Sequence, residues 1–132
     1  MLGLAEKQVT ASGNSKTVCV SNVLGYFGIA PSTYKYTFNT RTKENVWAGI
    51  LRRNGYAVRS RMSYVKGLSV GGARAKIRAL KDAGDVMYIA RVKNHVLLLN
   101  RGGETIIDTD PRKVDKRPLV GLVAVFKNLG GR

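Results

Sequence analysis

Apolar residues recur at helical spacing through the first half of the chain and in short, turn-bounded runs through the second. That order predicts an α+β domain, with helices packed on a mainly antiparallel sheet. At 132 residues and 44% hydrophobic, the chain fits one domain over 1–132 with a modest core. Residues 1–15 read as an irregular arm, marked by the loop signal Ser12-Gly13-Asn14-Ser15, and 127–132 as a flexible tail.

The first helix is expected from Thr17 to Phe27, with Ser15 or Thr17 as its N-cap. Val20, Val23, Leu24 and Phe27 share one face, Gly28 suits a left-handed stop, and Pro31 bars continuation. A second helix is bounded by Thr42 and Asn54-Gly55, with Val46, Trp47, Ile50 and Leu51 as its core stripe. Arg52 and Arg53 favour its carbonyl end, where the helix dipole is negative. Tyr56 to Tyr64 partly alternates apolar and basic residues and reads as a strand with one wet face. A third helix is expected over 69–83, with Ala73, Ile77 and Leu80 inward and Gly84 ending it. Gly71-Gly72 lacks the Gly-Lys-Ser/Thr continuation of a phosphate cradle and reads as loop. Val86–Val92, His95–Asn100, Glu104–Asp108 and Leu119–Phe126 then read as strands, with Arg101-Gly102-Gly103 a tight turn.

Cys19 is the only cysteine and His95 the only histidine, so neither an internal disulfide nor a Cys/His metal cluster is expected. The thiol falls in the first turn of the expected first helix, where unpaired N–H groups favour a thiolate. The imidazole opens an apolar strand, and Asp108-Thr109-Asp110-Pro111 follows one hairpin later. Residues two apart in extended chain point the same way, so either Asp108 or Asp110 suits the ring. A thiol, an imidazole that takes its proton and a carboxylate that holds the ring are the parts of nucleophilic acyl transfer.

Around Cys19, the run Asn22-Val23-Leu24-Gly25-Tyr26-Phe27-Gly28-Ile29 resembles the nucleophile helix of papain-like cysteine peptidases, closest to the C39-like, bacteriocin-leader-processing type. The segment from Ile50 to Val58, containing Asn54-Gly55-Tyr56, is similar to that family's helix leading into a Gly-Tyr-x-Val strand. Asp85–Ala90, His95–Leu99, Gly102-Gly103 and Asp110-Pro111 match its later order. The resemblance implies a papain-like fold without metal or cofactor, with Cys19 as nucleophile and His95 as general base and acid. It favours Asp110 over Asp108 as orienter, because the family carries Asp-Pro there. Three departures concern the thiol: Val20 follows it where a small residue is usual, an Asp-Cys-Gly-Pro-like start is absent, and Gly13 stands where a glutamine normally donates to the oxyanion. Asn14 or Gln8 is then the expected substitute. The implied substrate is a peptide or a cell-wall amide.

Twenty-three Lys and Arg against eight Asp and Glu give a net charge of +15, a field that attracts polyanions. Arg74, Lys76, Arg78 and Lys81, on the outer face of the third helix, are the expected polyanion contacts. The alternative to a hydrolase is therefore a non-catalytic module of the same fold, such as a phage virion-associated protein. It would bind nucleic acid or an acidic protein and assemble into a larger particle. No signal peptide or membrane-spanning run is evident, so a soluble cytoplasmic or virion protein is expected.

Overall fold

A computed structural model describes residues 15–30, 44–80, 82, 84–93, 95–108 and 115–127, with side chains throughout except at 15–19, 21, 44 and 45. The expected arm and most of the tail lie outside the described residues. Among them, the order is α1 (Ser15–Tyr26), α2 (Glu44–Arg53), β1 (Tyr56–Met62), α3 (Val70–Ala79), β2 (Val86–Val92), β3 (His95–Leu99), β4 (Thr105–Ile107) and β5 (Gly121–Lys127). The α+β class follows directly.

One sheet, in the order β1-β5-β2-β3-β4, pairs antiparallel throughout. Hairpins join β2 to β3 and β3 to β4, while the last strand inserts between β1 and β2. Its near-continuous apolar run suits that central place, where both faces are covered. Side chains alternate across the pleat and so build two cores. Met87, Ile89, Val96, Leu98, Val123 and Val125 pack against α1 and α2. Tyr88, Ala90, Leu97, Leu99, Leu122 and Ala124 pack against Val70, Ala73 and Ile77 of α3. Leu97, Leu98 and Leu99 are each wholly buried; such a side chain contributes roughly 1.5–3 kcal/mol of transfer free energy.

The expected stripe of α1 is buried as read, at Val20, Val23, Leu24 and Phe27. The helix closes in a Schellman turn: Gly28 N–H donates to Gly25 O, Ile29 N–H to Leu24 O, and Gly28 takes φ 79°. Its start differs from expectation. Ser15 and Thr17 are helical residues, so Cys19 is the fifth residue of α1 and lies beyond the first turn. The dipole effect fades over that distance, which weakens the expected helix-start activation of the thiol.

Two other boundaries move. The helix α3 ends at Ala79 rather than 83, because Leu80 turns extended (φ −72°, ψ 147°) and its N–H donates to Ile77 O. Asp82 then meets Arg61 Nε at 2.9 Å and accepts from the Tyr88 hydroxyl at 2.8 Å, pulling the chain back over the sheet. Gly71 and Gly72 belong to α3 rather than to a loop. A Cβ on Gly72 would stand 2.9 Å from the end of the Leu68 side chain, and one on Gly71 3.3 Å from Asp115 O, so a larger residue at either place requires a neighbour to shift. The strand β1 stops at Met62, leaving Tyr64 and Val65 exposed.

Candidate functional site

His95 is the first residue of β3 and is fully buried. Its Nε2 lies 2.6 Å from Asp108 Oδ1, a carboxylate only 11% exposed. Local register brings them together. Leu98 pairs with Ile107, and a bulge between Leu98 and Leu99 resets the hairpin. Ile107 packs in the core beneath α1, so its neighbour Asp108 takes the opposite parity, which is also that of His95. A carboxylate accepting from Nε2–H leaves Nδ1 as the basic nitrogen of a neutral ring. Nδ1 has no hydrogen-bond partner among the described residues.

Contacts set the direction of α1 on the sheet. Near its start, Val20 and Val23 line a narrow apolar crevice with Trp47, Ile89 and Val96. At its end, Tyr26 borders an open cavity of about 370 Å³ with Met87, Asn100 and Arg101. The helix therefore runs parallel to β3, its start over the start of that strand. Cys19 precedes Val20 and His95 precedes Val96, so the chain neighbours of thiol and imidazole share one crevice. The cavity lies at the other end of the sheet.

The remaining expected residues divide clearly. The Cys19 side chain, and Gln8, Asn14, Asp110 and Lys81 entire, lie outside the described residues. The described partner of His95 is Asp108, the carboxylate the family pattern did not favour. Arg74 and Arg78 act as struts. Arg74 Nη1 donates to Gly103 O at 2.8 Å and its Nη2 lies 3.0 Å from Asp115 Oδ1, while Arg78 Nη1 donates to Gly102 O at 3.1 Å. Both guanidinium groups thus tie α3 to the β3–β4 turn. Lys76 is exposed.

Trp47 reads in the sequence as core alone, and it is 2% exposed. Its indole Nε1–H nonetheless finds no acceptor among the described residues, and its ring lines the crevice. Only tertiary packing reveals that unused donor, since its helical spacing is ordinary. Among the described residues, no group of His, Cys, Asp and Glu could hold a metal ion, and no helix is long and apolar enough to cross a membrane.

The fold and site define an α+β domain with a buried histidine–carboxylate pair at one end of its sheet. Comparisons with family models, with curated proteins and with solved structures each return no match.

Proposed function

We propose that this chain is a papain-like cysteine peptidase of the C39-like type, cleaving an amide in a peptide or a cell-wall crosslink. The observation that carries the reading is the 2.6 Å contact of His95 Nε2 with Asp108, which leaves Nδ1 unpaired among the described residues. Such a ring is oriented for proton transfer on its other nitrogen. The start of α1 lying over the start of β3 supports Cys19 as the group it serves.

In the mechanism, Cys19 gives its proton to His95 Nδ1 and the thiolate attacks the carbonyl carbon. Asp108 holds the tautomer and stabilises the imidazolium. That imidazolium protonates the leaving amine, and the acyl group stays on sulfur as a thioester. Water, deprotonated by Nδ1, then releases the acid and restores the thiol. Asp110 remains the alternative orienter, and Gln8 or Asn14 the oxyanion donor that the family resemblance implies.

One observation favours a second reading. The pleat puts His95 with Leu97 and Leu99, on the face opposite Val96, Leu98 and the stripe of α1. In that reading the buried pair is a structural clamp, and the chain is a non-catalytic basic module of a virion or other assembly.

Iodoacetamide labelling at neutral pH, mapped by mass spectrometry, separates the two. A working pair gives fast alkylation at Cys19 that slows at least ten-fold in His95→Asn. Equal rates in both proteins would overturn the hydrolase reading.

A further inference from the structure

Among the described residues, the exposed large hydrophobics are Tyr64, at 62%, and Val65, at 53%. Both lie in the segment after β1, where Leu68 N–H donates to Val65 O and Gly67 takes φ 84°. Backbone contacts hold this segment beside a second basic one. Leu119 N–H donates to Leu68 O, Ser69 bridges to Pro118, and Val70 N–H donates to Arg117 O. Arg117 Nη2 in turn donates to Lys93 O at 2.7 Å. Lys66, Lys93, Lys116 and Arg117 thereby lie at the same end of the sheet as Tyr64.

No carboxylate among the described residues neutralises the three lysines of this group. Asp115 is held by Arg74, Asp82 by Arg61 and Asp108 by His95, while Glu104, bonded to Asn100, and Asp85 lie at the far end. Three lysines with no carboxylate partner among the described residues, at the same end of the sheet as an exposed aromatic ring, fit a ligand with regular negative charge and flat apolar faces. Unpaired nucleotides have both, whereas a duplex hides its base faces. Two apolar side chains offer too little area for stable insertion into a lipid interface.

We propose that this end of the molecule docks single-stranded nucleic acid, with a base stacked on Tyr64 and phosphates on Lys66, Lys93 and Lys116. The surface differs from the outer face of α3, whose Arg74 and Arg78 brace the hairpin. It lies at the same end of the sheet as His95, three strand spacings or roughly 14 Å across from β1 to β3. It does not depend on thiol chemistry.

Fluorescence polarisation with a labelled oligothymidine of about 20 nucleotides, read over a salt series, tests the proposal. The full chain binds the oligonucleotide, and Cys19→Ala binds it equally well. Tyr64→Ala weakens binding roughly ten-fold or more at an unchanged salt slope, whereas Tyr64→Phe retains affinity. Replacing Lys66, Lys93 and Lys116 together by Gln flattens the log–log salt slope by about 2. Three results would each overturn the proposal: no binding of the oligonucleotide, Tyr64→Ala binding like the parent, or tighter binding of the matching duplex. Tyr64-dependent binding to polyglutamate or phosphatidylglycerol vesicles in place of the oligonucleotide would reassign the surface and overturn it equally.

Discussion

Removing the Asp108 carboxylate is the sharpest test of the buried pair. His95 is fully buried and Asp108 11% exposed, so water cannot readily replace the lost partner in Asp108→Ala. An unsatisfied buried N–H costs about 1–3 kcal/mol. For a domain of this size each kcal/mol lowers Tm by about 3–6 °C, giving a fall of about 3–18 °C. Urea unfolding of His95→Ala, Asp108→Ala and the double variant then isolates the contact. A coupling of about 0.5–3 kcal/mol is expected, because the second substitution removes a group already left without its partner. Additive losses would refute the argument, since two groups 2.6 Å apart in a dry setting cannot contribute independently. Alkylation of Cys19 in Asp108→Asn gives the chemical readout. That variant keeps the shape but no longer enforces the tautomer, so under the hydrolase reading labelling slows while the thiol remains present.

Three further outcomes follow from the rest of the fold. Hydrogen bonds from Arg61, reinforced by the Tyr88 hydroxyl, hold the Asp82 carboxyl below its ordinary range despite partial burial. A depressed acid contributes stability above its unfolded pKa of about 3.9 that is lost as pH falls through the folded value, so Asp82→Asn should flatten the acid limb of unfolding free energy against pH. Burial, then the Asp82 contact, pushes Tyr88 up to about 12. Its contribution persists below the unfolded pKa of about 10 and is lost as pH rises towards the folded value; absorbance at about 295 nm should show a late-titrating tyrosine that Tyr88→Phe removes. Gly103 has φ 78°, and a Cβ there would stand 2.7 Å from the Arg74 carbonyl oxygen, so Gly103→Ala should destabilise by about 2 kcal/mol or more in urea unfolding.

Much of the architecture is legible without coordinates because it rests on short-range periodicity. Val20, Val23, Leu24 and Phe27 declare the buried face of α1, and Gly28 its stop, through the 3.6-residue repeat and the glycine requirement of a left-handed turn. The lone histidine at a strand start, with acids one hairpin later, likewise marks the candidate site. Three things needed long-range contacts. Ending α3 at Ala79 depends on Asp82 meeting Arg61 and Tyr88, groups 21 and 6 residues away. Tying Arg74 and Arg78 to the hairpin depends on carbonyls 29 and 24 residues distant. Pairing Asp108 with His95 depends on the bulge and register of β3 and β4, where a shift of one residue reverses the face a side chain occupies. Local composition therefore determined which segments are helix or strand and which residues are chemically equipped. Tertiary packing alone decided which of them meet, because hydrogen-bond partners are chosen by distance in space rather than along the chain.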